Sequence, residues 1–131
     1  MDRRFELALG HFEKALIRLD EVLLENESDM IRDSIIKRFE FTFEPAWKAC
    51  YRWLRARDAD VNEEAFAVLP RAFQNRLIAD KALWSDIRKA RNKTSHTYEE
   101  KIAIEVAAFV RAVAAPAFHA LLATLKARAD E

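Results

Sequence analysis

Glycine is nearly missing from this sequence, and its shortage constrains the fold more than any other feature. The 131 residues include one glycine, Gly10, and three prolines. Tight hairpins between antiparallel strands depend on glycine-containing turns, so a fold rich in β-sheet is excluded. Most of the residues are Ala, Leu, Glu, Lys and Arg, which are strong helix formers. We therefore predict an all-α fold, and the length predicts a single domain over residues 1–131.

The spacing of apolar residues predicts where the first two helices lie. Residues 2–26 carry a heptad-like apolar stripe, whose members are Phe5, Leu9, Phe12, Leu16, Leu19 and Leu23. Residues 29–57 carry two apolar lines instead of one, which predicts a helix covered on two sides by other helices or by a second subunit. Pro45 lies within this helix and is expected to kink or divide it.

Three more helices are predicted from the remaining sequence. Asn62 is expected to cap a helix over residues 63–78, with a bend or a restart at Pro70. A fourth helix begins at Asp80 and runs through Arg91, and the last covers about 98–129. The prediction is an up-and-down antiparallel helical bundle of four to five helices joined by short loops.

Composition excludes several functional classes. The formal net charge is zero, so no overall field attracts nucleic acid and any anion site has to be local. A lone cysteine, Cys50, forms no internal disulfide, which favours a reducing compartment. No apolar run approaches the roughly 20 residues that cross a bilayer, and the charged start is unlike a signal peptide. We expect a cytoplasmic protein without a membrane contact.

A basic cluster marks the end of the fourth predicted helix. Arg88, Lys89, Arg91 and Lys93 lie within six residues of one another. Because the dipole of a helix favours cations at its carboxyl end, the simplest interpretation is charge complementarity without a specific ligand.

The residues after this cluster predict a break in the helix. Thr97 and Glu100 have the spacing of a capping box that opens the final helix, so the chain should turn between Asn92 and His96. In one unbroken helix, Arg91 and His96 would point about 140° apart. With a turn between them, the two side chains can reach one cleft.

Arginine and histidine in one cleft can cleave RNA without a metal. The imidazole of His96 can accept the proton of a 2′-hydroxyl that attacks the neighbouring phosphate. The guanidinium of Arg91 can hold that phosphate and stabilise the charge of the transition state. Asn92 could orient His96 or the phosphate. On residue spacing alone, this pairing is common by chance.

Two segments resemble one family. The segment Arg91–Tyr98 resembles the R-x4-H-x-Y motif of HEPN-domain toxins of the HepT type. Residues 38–48, Arg-Phe-Glu-Phe-Thr-Phe-Glu-Pro-Ala-Trp-Lys, resemble the second-helix signature of the related nucleotidyltransferase substrate-binding proteins. Asp80 and Trp84 precede the motif at a familiar spacing. The sequence departs from the signature at Pro45, where a leucine-like residue is expected.

This resemblance implies a function and a set of partners. It implies a HEPN-like homodimer that cuts RNA with Arg91 and His96, without a metal or another cofactor. It further implies a cognate minimal nucleotidyltransferase that acts as antitoxin and silences the nuclease by AMPylation of Tyr98. The residues expected to support substrate binding are Asn92, Lys93, Arg88 and Glu44.

Other polar and aromatic residues have simpler interpretations. Glu40, Glu44 and Lys48 recur every four residues, which is typical of ion pairs along an exposed helix face, although Glu44 could line the cleft. The three tryptophans, at 47, 53 and 84, are expected in the core rather than stacked on bases. Three arginines, at 52, 55 and 57, suggest a solvated face more than an RNA track. His11 and His119 are expected at the surface or in helix packing, and the scattered histidines argue against a metal site.

Three functions remain open on this evidence. The leading one is a metal-independent endoribonuclease toxin of a toxin–antitoxin pair. The alternative is a non-catalytic subunit that binds a nucleotide or substrate for a nucleotidyltransferase. The third is a helical dimerisation module without a ligand. The presence of Arg91, His96 and Tyr98 together favours the first.

Overall fold

The computed structural model describes residues 2–131 and contains, within that range, five helices and no strand. The first four helices are α1 (Arg3–Leu23), α2 (Asp29–Arg55), α3 (Ala65–Gln74) and α4 (Lys81–Lys93), and a 3₁₀ turn (Thr94–His96) follows α4. The last helix is built from α5 (Glu100–Phe109), a π-helical turn (Val110–Ala114) and α6 (Ala115–Ala127). The predicted all-α fold is confirmed.

The apolar stripe predicted for α1 is buried nearly as expected. The buried residues of this helix are Phe5, Leu9, Phe12, Leu16, Leu19 and Val22. At the end of the stripe Val22 is buried, and the predicted Leu23 is partly buried and packs against the same core. At the other end, the Asp2 carboxylate caps the helix by accepting a hydrogen bond from the backbone N–H of Phe5 at 2.9 Å.

Helix α2 is the centre of the bundle and is not divided at Pro45. It contacts α1, α3, α4, α5 and α6. Both predicted apolar lines are covered, and the buried residues are Ile35, Ile36, Phe39, Thr42, Phe43, Ala46, Trp47, Ala49, Cys50, Trp53 and Leu54. An internal proline costs about 3 kcal/mol, whereas each large apolar side chain that is fully buried contributes about 1.5–3 kcal/mol. The two buried lines therefore outweigh the proline.

Helix α3 is shorter than predicted. It runs from Ala65 to Gln74 without a break at Pro70, and its N-cap is Glu64 rather than Asn62, with no side-chain cap bond. The helix ends where Arg76 adopts a positive φ of 61°. In this left-handed conformation the chain reverses, and the Leu77 N–H bonds back to the Ala72 carbonyl at 2.8 Å. This turn ends the helix before residue 78.

The last helix corrects one expectation about apolar length. Glu100–Ala127 is a continuous 28-residue helix with a mean hydropathy of 1.7 in its most apolar window, so by length and composition it could cross a membrane. The sequence-based statement that no segment is long and apolar enough is therefore wrong. One face of this helix packs into the bundle, and its buried residues are Ala103, Val106, Ala107, Val110, Ala114, Ala115, Phe118, Leu121 and Leu125. That pattern is typical of a core helix in a helical bundle.

The π-helical turn lets the same helix pass through Pro116. In this turn the N–H of Ala115 donates to the carbonyl of Val110, five residues back. The wider turn lies directly before the proline, which cannot donate a ladder hydrogen bond of its own. The helix thus continues to Ala127 in spite of the proline.

Phe118 joins four helices at the core. Its ring lies 6.2 Å from the ring of Phe12 on α1, 6.1 Å from that of Phe39 on α2 and 5.8 Å from that of Trp84 on α4, between centroids. Phe118 is fully buried. Trp84 is buried with the other two tryptophans, which confirms that the three belong to the core.

Replacing Phe118 by alanine should lower the free energy of unfolding by about 3–5 kcal/mol, because it removes a ring shared by four helices and leaves a cavity. Chemical denaturation followed by circular dichroism measures the change. The matched control is Phe66→Ala, since the Phe66 side chain on α3 is 67% exposed. Similar losses in the two variants would contradict the central position of Phe118.

Candidate functional site

The chain leaves the α-helical path directly after the basic cluster, as predicted. Helix α4 ends at Lys93, the 3₁₀ turn covers Thr94–His96, and the next helix begins at Glu100. The turn places Arg91 on an α-helix and His96 on a differently wound segment. The predicted break between the two residues is confirmed.

The predicted capping box is wrong. The N-cap of α5 is Glu99, and Thr97 adopts a helical backbone conformation with φ −73° and ψ −1° instead of the extended one that an N-cap requires. The Thr97 hydroxyl donates to the Thr94 carbonyl at 3.0 Å and so completes the turn behind it. Tyr98 consequently lies in the connecting segment before α5 and is not its first residue.

A buried threonine attaches the Arg91 guanidinium to this turn. The Nη1 of Arg91 donates to the Thr94 hydroxyl oxygen at 2.8 Å, and that hydroxyl donates to the Arg91 carbonyl at 2.6 Å. Thr94 is 7% exposed, so both bonds are shielded from water. Because the arginine is bonded to the segment that carries His96, its position is fixed relative to the backbone of the turn.

Two carboxylates of α2 face the same guanidinium. The Arg91 Nη2 lies 3.9 Å from an oxygen of Glu40, and its Nε lies 3.7 Å from an oxygen of Glu44. The other Glu44 oxygen accepts a hydrogen bond from the indole of Trp47 at 3.0 Å, which orients the carboxylate. The Arg91 Nε is buried and has no hydrogen-bond partner within residues 2–131. The guanidinium is therefore held by ion pairing while part of its donor capacity stays unused.

Glu40 is a site residue that sequence reasoning missed. Glu40 and Glu44 are one helical turn apart, and sequence analysis interpreted their spacing as ion pairing along an exposed face. In the structure, both contact Arg91 on another helix, while the Lys48 ammonium lies over the Trp47 ring, 5.7 Å from its centroid. The spacing of four residues could have indicated this contact, because it places both carboxylates on one face of α2, where a neighbouring helix can meet them.

His96 and Tyr98 form the accessible part of the site. Both residues are exposed, and Tyr98 retains 80% of its accessible surface. Their rings meet edge to face, with centroids 6.2 Å apart and an angle of 65° between the planes. A macromolecule can reach both side chains from solvent.

The remaining predicted cations do not gather around Arg91. Arg88 lines a groove between α3 and α4 next to Phe66, whereas Lys89 and Lys93 line a groove between α4 and α5. Successive helix residues are about 100° apart, so cations at neighbouring positions point to different sides of α4. Of the predicted supporting residues, Glu44 contacts Arg91. Asn92 is exposed, and its backbone carbonyl accepts a hydrogen bond from the Ser95 hydroxyl.

The arginines near the end of α2 do not form one solvated face. Arg52 pairs with Glu63 at 3.7 Å, and the Arg57 guanidinium stacks 3.6 Å from the centroid of the Trp53 ring. Burial lowers the pKa of the Arg57 guanidinium. Of the three arginines, Arg55 alone is exposed. Because Arg52 and Arg57 are engaged in contacts within the protein, the three arginines do not form a continuous track for RNA at this end of α2.

Cys50 is not a nucleophile of this protein. The thiol is fully buried in α2, and burial raises its pKa to about 12. A nucleophilic cysteine needs an accessible thiolate near neutral pH. Among the groups able to accept a proton, His96 is the one that the motif presents to solvent.

The chain is similar to proteins of a known family. The chain matches the family described as nucleotidyltransferase substrate binding protein like over residues 6–127. Since this match covers nearly the whole chain, the protein is a member of that family. No match was found among curated protein sequences.

Two solved structures share this fold. A protein from Thermus thermophilus is 31% identical, with a TM-score of 0.71, and the alignment covers 92% of this chain and 99% of that one. HI0074 from Haemophilus influenzae is 25% identical with a TM-score of 0.68, and coverage is 93% of this chain and 96% of that one. The HI0074 structure is described as revealing the fold of a substrate binding domain of a nucleotidyltransferase.

Proposed function

We propose that this protein is a metal-independent endoribonuclease of the cytoplasm, the toxin of a toxin–antitoxin pair whose antitoxin is a minimal nucleotidyltransferase. The observation that carries the proposal is the attachment of Arg91, through Thr94, to the turn that presents His96. The family match supports the link to a nucleotidyltransferase.

The chemistry divides between two side chains. The His96 imidazole removes the proton of a ribose 2′-hydroxyl, and the resulting oxygen attacks the adjacent phosphorus. The bond from phosphorus to the 5′-oxygen breaks and that oxygen takes a proton from water, which leaves a 2′,3′-cyclic phosphate and a 5′-hydroxyl. Arg91 binds the phosphate and stabilises the added negative charge of the transition state. Asn92, which is exposed beside Arg91, contacts the RNA backbone, whereas Lys93 lies in the groove between α4 and α5 and takes no part in this contact.

Glu40 and Glu44 have a positioning role in this scheme. Their ion pairs orient the guanidinium and offset its charge in the free protein. An incoming phosphate therefore competes with two carboxylates, and both are partly exposed, so they contribute modest attraction. A free anion has only Arg91 to bind, whereas an RNA phosphate is also held by His96 and the flanking residues. This arrangement therefore favours binding of the RNA phosphate.

The nuclease should cleave RNA in the presence of EDTA. His96→Ala removes the proton acceptor and should lower the rate by about 100-fold or more, and Arg91→Ala should lower it by a comparable factor. The matched control is His119→Ala, because His119 is an exposed histidine that pairs with Asp20 on α1, and its rate should equal that of the wild type. Cleavage that requires magnesium, or that survives in His96→Ala, would refute the mechanism.

The alternative function is a non-catalytic subunit that binds a substrate for a nucleotidyltransferase. The description of HI0074 as a substrate binding domain favours it. The two functions separate in the same assay. A wild-type protein that forms a complex with the nucleotidyltransferase yet cleaves no RNA at any concentration would support the alternative.

The protein is also expected to be a homodimer that buries α2 and the motif region. Phe41 on α2 is 62% exposed directly beside Glu40, and Tyr98 is exposed as well. Sedimentation at micromolar concentration should give a dimer, and Phe41→Asp should give a monomer, because burying an unpaired charge is costly. Phe66→Asp, which changes a similarly exposed ring on α3, should stay dimeric. A wild-type monomer would contradict this expectation.

Tyr98 is the expected target of the antitoxin. Its hydroxyl would attack the α-phosphate of ATP, lose its proton and release pyrophosphate, so that an adenylyl group becomes attached. The new phosphate can pair with Arg91. Arg88 and Lys89 face two other sides of α4, so they cannot both pair with the same phosphate. The adenylyl group would then block His96 sterically and Arg91 electrostatically.

Intact mass after incubation with the nucleotidyltransferase and ATP should increase by whole AMP units, and peptide mapping should place them on Tyr98. Tyr98→Phe should retain most nuclease activity but escape both modification and inhibition. Tyr51→Phe, on α2, is the matched control and should be modified like the wild type. Modification of another residue, or inhibition of Tyr98→Phe, would contradict this control mechanism.

A further inference from the structure

A cavity separate from the motif lies between α1, α2 and the segment that precedes α3. Its volume is about 390 Å³, which is within the range of small-molecule sites, about 300–1,000 Å³. Arg52 on its wall is twelve residues beyond Glu40, which corresponds to about 18 Å along α2 and about 120° around it. The residues that line the cavity do not include Arg91, His96 or Tyr98.

Positive charge is concentrated in this cavity. Arg4, Lys48 and Arg52 line it, and the imidazole of His11 adds a further polar group. Glu63 is the one acidic residue of the lining and pairs with Arg52 at 3.7 Å. Within residues 2–131, no carboxylate forms an ion pair with Arg4 or Lys48. In a protein with zero net charge, such a group of cations indicates an anion site.

The rest of the cavity wall is apolar. Leu7 and Ala8 contribute from α1, and Pro45 contributes from α2. Leu7 is 49% exposed although it is a large aliphatic residue. An apolar surface surrounded by cations suits a ligand that combines a flat or aliphatic body with a phosphate group.

We infer that this cavity binds a mononucleotide, with the phosphate between Lys48, Arg52 and Arg4 and the nucleoside against Leu7 and Pro45. The volume suits one nucleotide and is too small for a folded RNA. Pro45 gains a role in this arrangement, because its ring supplies a rigid apolar surface beside Lys48. The site is independent of the proposed nuclease and does not require Arg91 or His96.

Isothermal titration calorimetry in EDTA at low salt, with AMP as the probe, tests this site. AMP should bind once per protomer and at least about tenfold more tightly than adenosine or inorganic phosphate, because each of these lacks half of the ligand. Lys48→Gln and Arg52→Gln should each weaken AMP binding by about tenfold or more through the loss of a charge-assisted contact. Glu63→Gln should strengthen binding, since it releases Arg52 from its ion pair.

Two control variants separate this site from its alternatives. Arg55→Gln removes an exposed arginine three residues from Arg52 and should leave AMP binding unchanged. Arg91→Ala should also leave it unchanged, even though it should greatly slow RNA cleavage, so the two sites can fail independently. The inference is wrong if AMP does not bind, if phosphate binds as tightly as AMP, or if Arg91→Ala removes binding while Lys48→Gln does not. Circular dichroism of each variant confirms that the fold is intact.

Discussion

Burial of α2 on both of its apolar lines is the constraint on which the rest of the structure depends. Phe39 of this helix meets Phe118 of the last helix at the point where α1 and α4 also contribute aromatic rings. Because α2 is fixed from several sides, its polar residues have defined directions. Glu40 and Glu44 point to the end of α4, and Lys48 and Arg52 line the cavity against α1. One helix thus places both candidate sites.

The fold was predictable where a single physical signal dominated. The stripe of α1 and the two lines of α2 follow from apolar periodicity, and the break after Arg91 was predicted correctly. The errors occur where a residue had two possible partners. Thr97 can cap a helix or close the preceding turn, and its bond to the Thr94 carbonyl shows which alternative is adopted. Pro45, in turn, could not be assessed without knowing how much of α2 is buried.

The candidate site was predictable as a motif but not as an arrangement. The sequence predicts that Arg91 and His96 lie on either side of a break. It does not predict that Glu40 and Glu44 contact the arginine, because that contact depends on the packing of α2 on α4. The same packing leaves the Arg91 Nε without a hydrogen-bond partner in the described chain. Arg91 is thus held by two carboxylates and keeps one buried donor without a hydrogen bond.

We propose that Arg91, His96 and Tyr98 act as one site for an RNA phosphate. The most direct test is an NMR titration, in EDTA, with an oligonucleotide whose 2′-hydroxyls are replaced by hydrogen, so that it binds without being cleaved. The account predicts that the Arg91 Nε–H and the rings of His96 and Tyr98 shift together, with one common affinity. Shifts that bypass these three residues, or that fit different affinities at Arg91 and His96, would contradict it.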